Sequence, residues 1–258
     1  MARMSTARRK AYLDAIGIEP WALRARSAEA GDDGTEAEPA PASASAPTSA
    51  ETAPPRATVP EAAAVDESPL VVAEDWDGLA AQARACSRCG RCETRTQAVF
   101  GVGAADADLV VVGEGPGADE DRVGEPFVGR AGKLLDEMLA AIGRSRSRNT
   151  YIANVVKCRP PGNRDPSPQE AEACRPYLEQ QLKLLKPKLI VAVGRIAAQR
   201  LLESSEPLAR LRGQVHHWGE DKIPVWVTYH PAYLLRSPRE KAKSWADLKQ
   251  VHRLLHPV

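Results

Sequence analysis

The chain has 258 residues, of which 21 are proline and only 5% are Phe, Trp or Tyr, so part of it is expected to stay outside any packed core. Its formal net charge of +1 hides an asymmetry: residues 28–75 carry eleven acids and only Arg56, whereas residues 76–258 carry 28 Lys/Arg against 21 Asp/Glu. No stretch approaches the roughly 18–20 apolar residues that span a bilayer, and the basic N-terminus lacks the apolar run of a secretory signal, which excludes a membrane protein and predicts a cytoplasmic one.

Residues 1–27 form a basic segment with six Lys/Arg and two acids. Tyr12, Leu13 and Ile16 fall on one face of a short predicted helix within residues 8–26, a docking element whose partner the residues do not specify. Residues 28–75 are rich in Ala, Pro, Glu, Ser and Thr with few large apolar side chains. They are expected to be a disordered acidic linker, because such a segment buries too little surface to offset chain entropy.

From Trp76 the character changes. A predicted helix over 75–85 leads into the cysteine-rich stretch CSRCGRC. Strands are expected at 108–112, 150–156, 188–193 and 224–229, and helices at 130–142, 168–186, 194–203 and 238–255. This alternation predicts an α/β fold: a three-layer α/β/α domain over 76–258 with a central four-stranded parallel sheet. The first strand ends in Gly113-Glu114-Gly115-Pro116-Gly117, followed by acids at Asp119, Glu120 and Asp121 and by Phe127 before Gly129. A glycine-rich loop at the carboxyl end of a parallel strand is where open α/β sheets place ligands. The proline-rich loop 159–168 follows the next strand on the same edge.

The five cysteines are Cys86, Cys89, Cys92, Cys158 and Cys174. An odd number without an export signal argues for reduced thiols or metal ligands. Cys86-x2-Cys89 is a bidentate thiolate clip, and Cys158 and Cys174 supply two more sulfurs. Four thiolates suit either tetrahedral zinc or a [4Fe–4S] cluster, and with Cys92 present the spacing leaves one cysteine of the first group spare.

Taken together, GEGPGADED, PFVG, TYIANVVKCRPPGNR and YHPAYLLR, with the cysteines, resemble the family 4 uracil-DNA glycosylases, iron–sulfur enzymes of DNA base excision repair. The resemblance runs from about Cys86 to Leu255. It implies a hydrolase that flips uracil out of DNA, cleaves its N-glycosidic bond and leaves an abasic site. By the same resemblance Gly113, Glu114 and Gly115 lie at the uracil and the catalytic water, Phe127 stacks on the base, and Asn154 reads the uracil edge. His230 faces a base carbonyl, and Cys86, Cys89, Cys158 and Cys174 hold a [4Fe–4S] cluster, leaving Cys92 spare. Family 1 enzymes carry an aspartate where this chain has Gly115, so the water-orienting role passes to Glu114, with Glu120 as second candidate.

For DNA, whether single- or double-stranded, Tyr233, Leu234 and Leu235 are candidates for an apolar wedge. Arg130, Lys157, Arg159, Arg164 and Arg236 are candidates for phosphate contacts. The protein is expected to act as a monomer. Two other classes of function stay in view. One is a uracil-DNA binder that traps its product, disfavoured because the loop KCRPPGNRDPSP contains no histidine. The other is a non-enzymatic zinc or iron–sulfur DNA-binding module.

Overall fold

A computed structural model describes residues 70–90 and 93–256. The predicted helix in 8–26, the acidic linker up to residue 69 and Cys92 lie outside the described residues. The strands are β1 (Val102–Gly103), β2 (Leu109–Gly113), β3 (Thr150–Asn154), β4 (Leu189–Val193), β5 (Val215–Trp218) and β6 (Ile223–Thr228). The helices are α1 (Trp76–Ala85), α2 (Ala118–Val123), α3 (Arg130–Ala140), α4 (Pro168–Leu185), α5 (Arg195–Leu201), α6 (Leu208–Leu211), α7 (Pro231–Arg236) and α8 (Lys241–Leu255).

The sheet order is β1-β3-β2-β4-β6-β5. The four expected strands pair in parallel as β3-β2-β4-β6. Two short antiparallel strands, β1 and β5, flank them and make the sheet six-stranded. The central strands are continuous apolar runs because helices cover both faces. Val110, Val112, Ala153, Ile190, Ala192, Val225 and Val227 join a core with α1, α4, α5 and α6. Leu109, Val111, Ile152, Leu189, Val191, Val193 and Trp226 turn the other way, against α3, α7 and α8. This period-2 alternation produces the three layers. Leu70, Val72 and Ala73 also pack against the first of these cores, beside Trp76.

Parallel pairing brings four strand ends to one edge. Gly113 of β2 and Asn154 of β3 are register partners, and Val193 of β4 is paired with Thr228 of β6 just before His230. The helix α4 starts cleanly: Ser167 accepts a hydrogen bond from the Glu170 N–H, the Glu170 carboxylate accepts from the Ser167 N–H, and Pro168 occupies the first helical position. That start fixes the far end of the loop 159–167 above the same edge.

Candidate active site

Asn154 ends β3 with its side chain only 2% exposed, and its Oδ1 has no hydrogen-bond partner. A buried acceptor without a partner costs about 1–3 kcal/mol. A Cβ placed on Gly113 would stand 2.5 Å from Asn154 Oδ1 and 2.5 Å from Phe127 Cζ. Only glycine therefore fits at this point between the amide and the ring. Gly115 permits a second close approach, since a Cβ there would lie 2.7 Å from Val156 Cγ2.

Phe127 is buried and holds a left-handed backbone, φ 56°. For a bulky residue this costs on the order of 1–3 kcal/mol and needs outside support. Arg146 supplies it, donating to the Phe127 carbonyl at 2.9 Å and the Pro126 carbonyl at 3.2 Å while paired with Asp136. Gly132 lets α3 pass close beneath, because a Cβ there would collide with the Phe127 carbonyl oxygen. Glu120 completes the clamp: its carboxylate accepts from the N–H groups of Gly117 (3.1 Å), Val128 (2.9 Å) and Gly129 (3.2 Å). Glu120 is thus the staple that closes the loop bearing Phe127. Its neighbour Asp121 is buried and accepts from the Thr96 N–H, tying α2 to the segment ahead of β1. The acids after the glycine loop are structural groups of a short helix.

His230 lies beside Phe127, with ring centroids 5.5 Å apart and planes inclined by 29°. It caps α7 through Nδ1, which accepts from the Ala232 N–H at 3.1 Å. An accepting Nδ1 places the proton on Nε2, the free end of the ring. Burial, helped by the Arg236 charge and opposed by Glu120, pushes the His230 pKa down to about 4, so the imidazole is neutral near pH 7. The backbone of Gly194, at φ 96°, approaches the His230 side chain to 3.0 Å measured from an added Cβ.

Glu114, the residue after Gly113, is half-buried. Burial first, then the charge of Asp165, raises its pKa to about 7, with Arg195 acting in the opposite direction. Asp165 and Arg195 form an ion pair at 2.8 Å. Neither stands in a recognisable motif. Asp165 lies in the flagged loop 159–168, but nothing local indicates that it reaches Glu114.

The four cysteines Cys86, Cys89, Cys158 and Cys174 line one narrow space of about 10 Å³, together with Arg88, Arg95, Lys157 and Tyr177. Arg95 donates to Cys158 Sγ at 2.7 Å, and the Lys157 N–H donates to Cys174 Sγ at 3.2 Å. Burial raises both thiols, Cys174 up to about 12. No set of three or more His, Cys, Asp or Glu among the described residues stands in metal-holding geometry. The donor set nevertheless suits a sulfur-ligated group: four soft thiols face one space, and the cations around it would balance thiolate charge.

Two expectations are corrected. Leu234 is 1% exposed and packs in the core with Leu248 and Val251, because on a one-and-a-half-turn helix it faces the sheet. Its neighbours Tyr233, 37% exposed, and Leu235, half-buried, are accessible at the surface. Lys157 is 1% exposed, its ammonium donating to the Asn154 carbonyl at 3.0 Å and to Gln181 Oε1 at 2.5 Å. It is an internal brace for the strand end that carries Asn154 and cannot reach phosphate. Arg130 and Arg236 are exposed at helix ends, and Arg159 is half-buried. Arg164 is engaged by Glu170 through two contacts of 2.7 and 2.8 Å. No helix among the described residues is long and apolar enough to cross a membrane.

A family profile described as "Uracil DNA glycosylase superfamily" matches residues 100–249. Among curated proteins, the chain is similar to the type-4 uracil-DNA glycosylase of Archaeoglobus fulgidus, 44% identical over 188 residues that cover 70% of this chain and 94% of the relative. It is likewise similar to the type-4 enzyme of Thermotoga maritima, 44% identical over 59% of this chain and 79% of the relative. A more distant likeness, 36% over 40% of this chain and 53% of the relative, is to the type-5 uracil-DNA glycosylase of Thermus thermophilus.

Proposed function

From the premise that this chain belongs to the uracil DNA glycosylase superfamily, and within it to the type-4 group, we propose that it hydrolyses the N-glycosidic bond of uracil in DNA and leaves an abasic site. The observation that carries the reading is the orphaned Asn154 Oδ1, buried beside Gly113 and Phe127.

A glycosidic bond inside a duplex is out of reach, so the nucleotide must rotate into the pocket. Stacking on Phe127 contributes about 1–3 kcal/mol but accepts any base. Asn154 supplies the choice. Its Oδ1 accepts from uracil N3–H and its Nδ2 donates to O4, whereas cytosine presents an acceptor at N3 and a donor at N4. A wrong base leaves the buried amide unpaired, which is the most discriminating kind of mismatch.

As the C1′–N1 bond lengthens, the base gains negative charge and the sugar gains positive charge. The Nε2–H of His230 donates to the base carbonyl oxygen and stabilises that anion mainly in the transition state. A neutral imidazole does this without binding a ground-state anion. The carboxylate of Glu114 orients water towards C1′ and favours the sugar cation electrostatically. Glu120 is left out of this role because backbone N–H groups occupy its oxygens.

Cys86, Cys89, Cys158 and Cys174 would hold a [4Fe–4S] cluster. Such a group would tie α1, the end of β3 and α4 together and so fix the loop that carries Asp165. Arg130, Arg159 and Arg236, with Tyr233 and Leu235, would meet the DNA.

The test is direct. Uracil-containing single- and double-stranded oligonucleotides are incubated with the protein, abasic sites are cleaved with alkali, and products are separated on a denaturing gel. Strand breaks at uracil alone are expected. A slow-migrating covalent adduct would favour a product-trapping protein instead, and intact DNA would contradict the reading.

A further inference from the structure

Four elements converge on the residues around His230. Thr228 ends β6, Asp247 and Ser244 come from α8, Arg212 follows α6, and Tyr233 lies on α7. The Asp247 carboxylate accepts at Oδ2 from Arg212 Nη2 at 2.6 Å, from Arg212 Nε at 3.1 Å and from Thr228 Oγ1 at 2.7 Å. Ser244 Oγ lies 3.1 Å from the same hydroxyl. The Arg212 guanidinium covers the face of Tyr229, 4.0 Å from the ring centroid, and Tyr229 packs on Tyr233 with ring centroids 5.1 Å apart. We propose that Arg212 and Asp247 are positioning residues for the imidazole of His230. This rests on the role given to His230 above.

The network grips the chain on both sides of that histidine. Upstream are the two residues that precede it: Thr228 is held through its hydroxyl and Tyr229 through its ring. Downstream, the Tyr233 N–H donates to the His230 carbonyl at 2.9 Å, and the Tyr233 ring returns to Tyr229. The His230 ring is fixed separately, by the Ala232 N–H on Nδ1. Backbone and ring together set the line along which Nε2–H points. Such a donor stabilises a developing oxyanion only when it is aimed at the position that charge will occupy. A misplacement of about 1 Å can cost about 100-fold in rate.

Stability alone is a poor reason for this arrangement. The Arg212 and Asp247 side chains are 13% and 6% exposed, and desolvating two charges largely offsets their attraction. Apolar side chains of similar volume would dock α8 on β6 as well. They would not hold the Thr228 hydroxyl, nor place a cation over Tyr229, a directional contact with the ring face. A guanidinium does both at once, offering two N–H groups to Asp247 while its charge lies over Tyr229.

A double-mutant cycle tests the proposal, using single-turnover excision from a single-stranded uracil oligonucleotide by the full chain and thermal melting of every variant. Arg212→Gln should lower the maximal rate by about 10- to 100-fold and leave the protein concentration for half-maximal rate near wild type. Arg212→Lys keeps the charge but loses the two-nitrogen fork, and should recover part of that rate. In a His230→Ala background the same Arg212→Gln change should cost less than about 2-fold, because no imidazole remains to be aimed. Losses that simply multiply overturn the proposal, as does an Arg212→Gln defect confined to the half-maximal concentration, the mark of a DNA contact. Should Arg212→Gln not fold with Asp247 left unpaired, the double variant Arg212→Met/Asp247→Leu takes its place in the cycle. It should melt near wild type and still be slow; a wild-type rate from it, or melting far below wild type, also overturns the proposal. His230→Ala separates the two levels of argument. A wild-type rate from it would remove the role of His230 itself, whereas a slow His230→Ala with a multiplicative cycle would remove the positioning claim alone.

Discussion

Replacing Asn154 with aspartate changes one atom and reverses one hydrogen-bond polarity. At pH 8 the ionised side chain accepts at both oxygens, so uracil N3–H keeps a partner while O4 loses its donor and faces a negative charge. The residue is 2% exposed, so no bulk water relieves the mismatch. One lost hydrogen bond together with one unpaired carbonyl amounts to about 1.5–4.5 kcal/mol, or between about 10-fold and about 2,000-fold in kcat/KM. The assay is single-turnover excision from a uracil oligonucleotide, with the variant-to-wild-type ratio followed as pH falls. Protonation would return a donor to the side chain and narrow the gap. Because a carboxylic acid offers one donor and one acceptor that can exchange places, cytosine should also become a weak substrate at low pH. Wild-type kcat/KM for the variant at pH 8, with melting unchanged, would refute the amide-readout reasoning.

Other outcomes follow from the same geometry. Gly113→Ala places a methyl group 2.5 Å from both Asn154 Oδ1 and Phe127 Cζ; excision should fall by orders of magnitude, and overpacking should cost about 1–3 kcal/mol in denaturant titration. His230→Ala should lower single-turnover rate by about 100- to 1,000-fold. Because wild-type His230 is held neutral down to about pH 4, it should add no limb to the wild-type profile above pH 5.5. Glu114 is raised from 4.5 to about 7, so its contribution to stability is fully present below pH 4.5 and is lost as pH rises through 7. Glu114→Gln should therefore melt higher than wild type at pH 8, by the equivalent of about 1 kcal/mol after discounting for its partial exposure, and lose that advantage below pH 4.5. Removing the proposed cluster with Cys174→Ser should abolish bound iron and the broad visible absorption of an iron–sulfur protein, and lower the melting temperature; a wild-type preparation that carries one zinc and no iron would contradict the cluster assignment.

The sequence disclosed the parallel core because β2, β3, β4 and β6 are buried on both faces and read as unbroken apolar runs. The edge strands were not legible. Val102–Gly103 is two residues long, and Val215–Trp218 carries two histidines and leaves Val215 exposed. Gly113, Phe127, Asn154 and His230 were visible as motifs, and the parallel register helps explain why positions so far apart in the chain lie close together. Three side chains eluded the sequence for a common reason: charge and hydropathy do not indicate direction. Lys157 looked like a phosphate contact but points inward beneath Asn154, and Leu234 looked like a wedge but faces the sheet. Glu120 looked like a second candidate for orienting water, yet it closes the loop that strains Phe127 into its left-handed conformation.

The most direct measurement is a crystal structure of the Glu114→Gln protein bound to a uracil-containing oligonucleotide. The extruded base should lie against Phe127 with O4 and N3 at the Asn154 amide and its O2 at His230 Nε2. A uracil seated elsewhere, or one whose edge faces away from Asn154, would contradict the account.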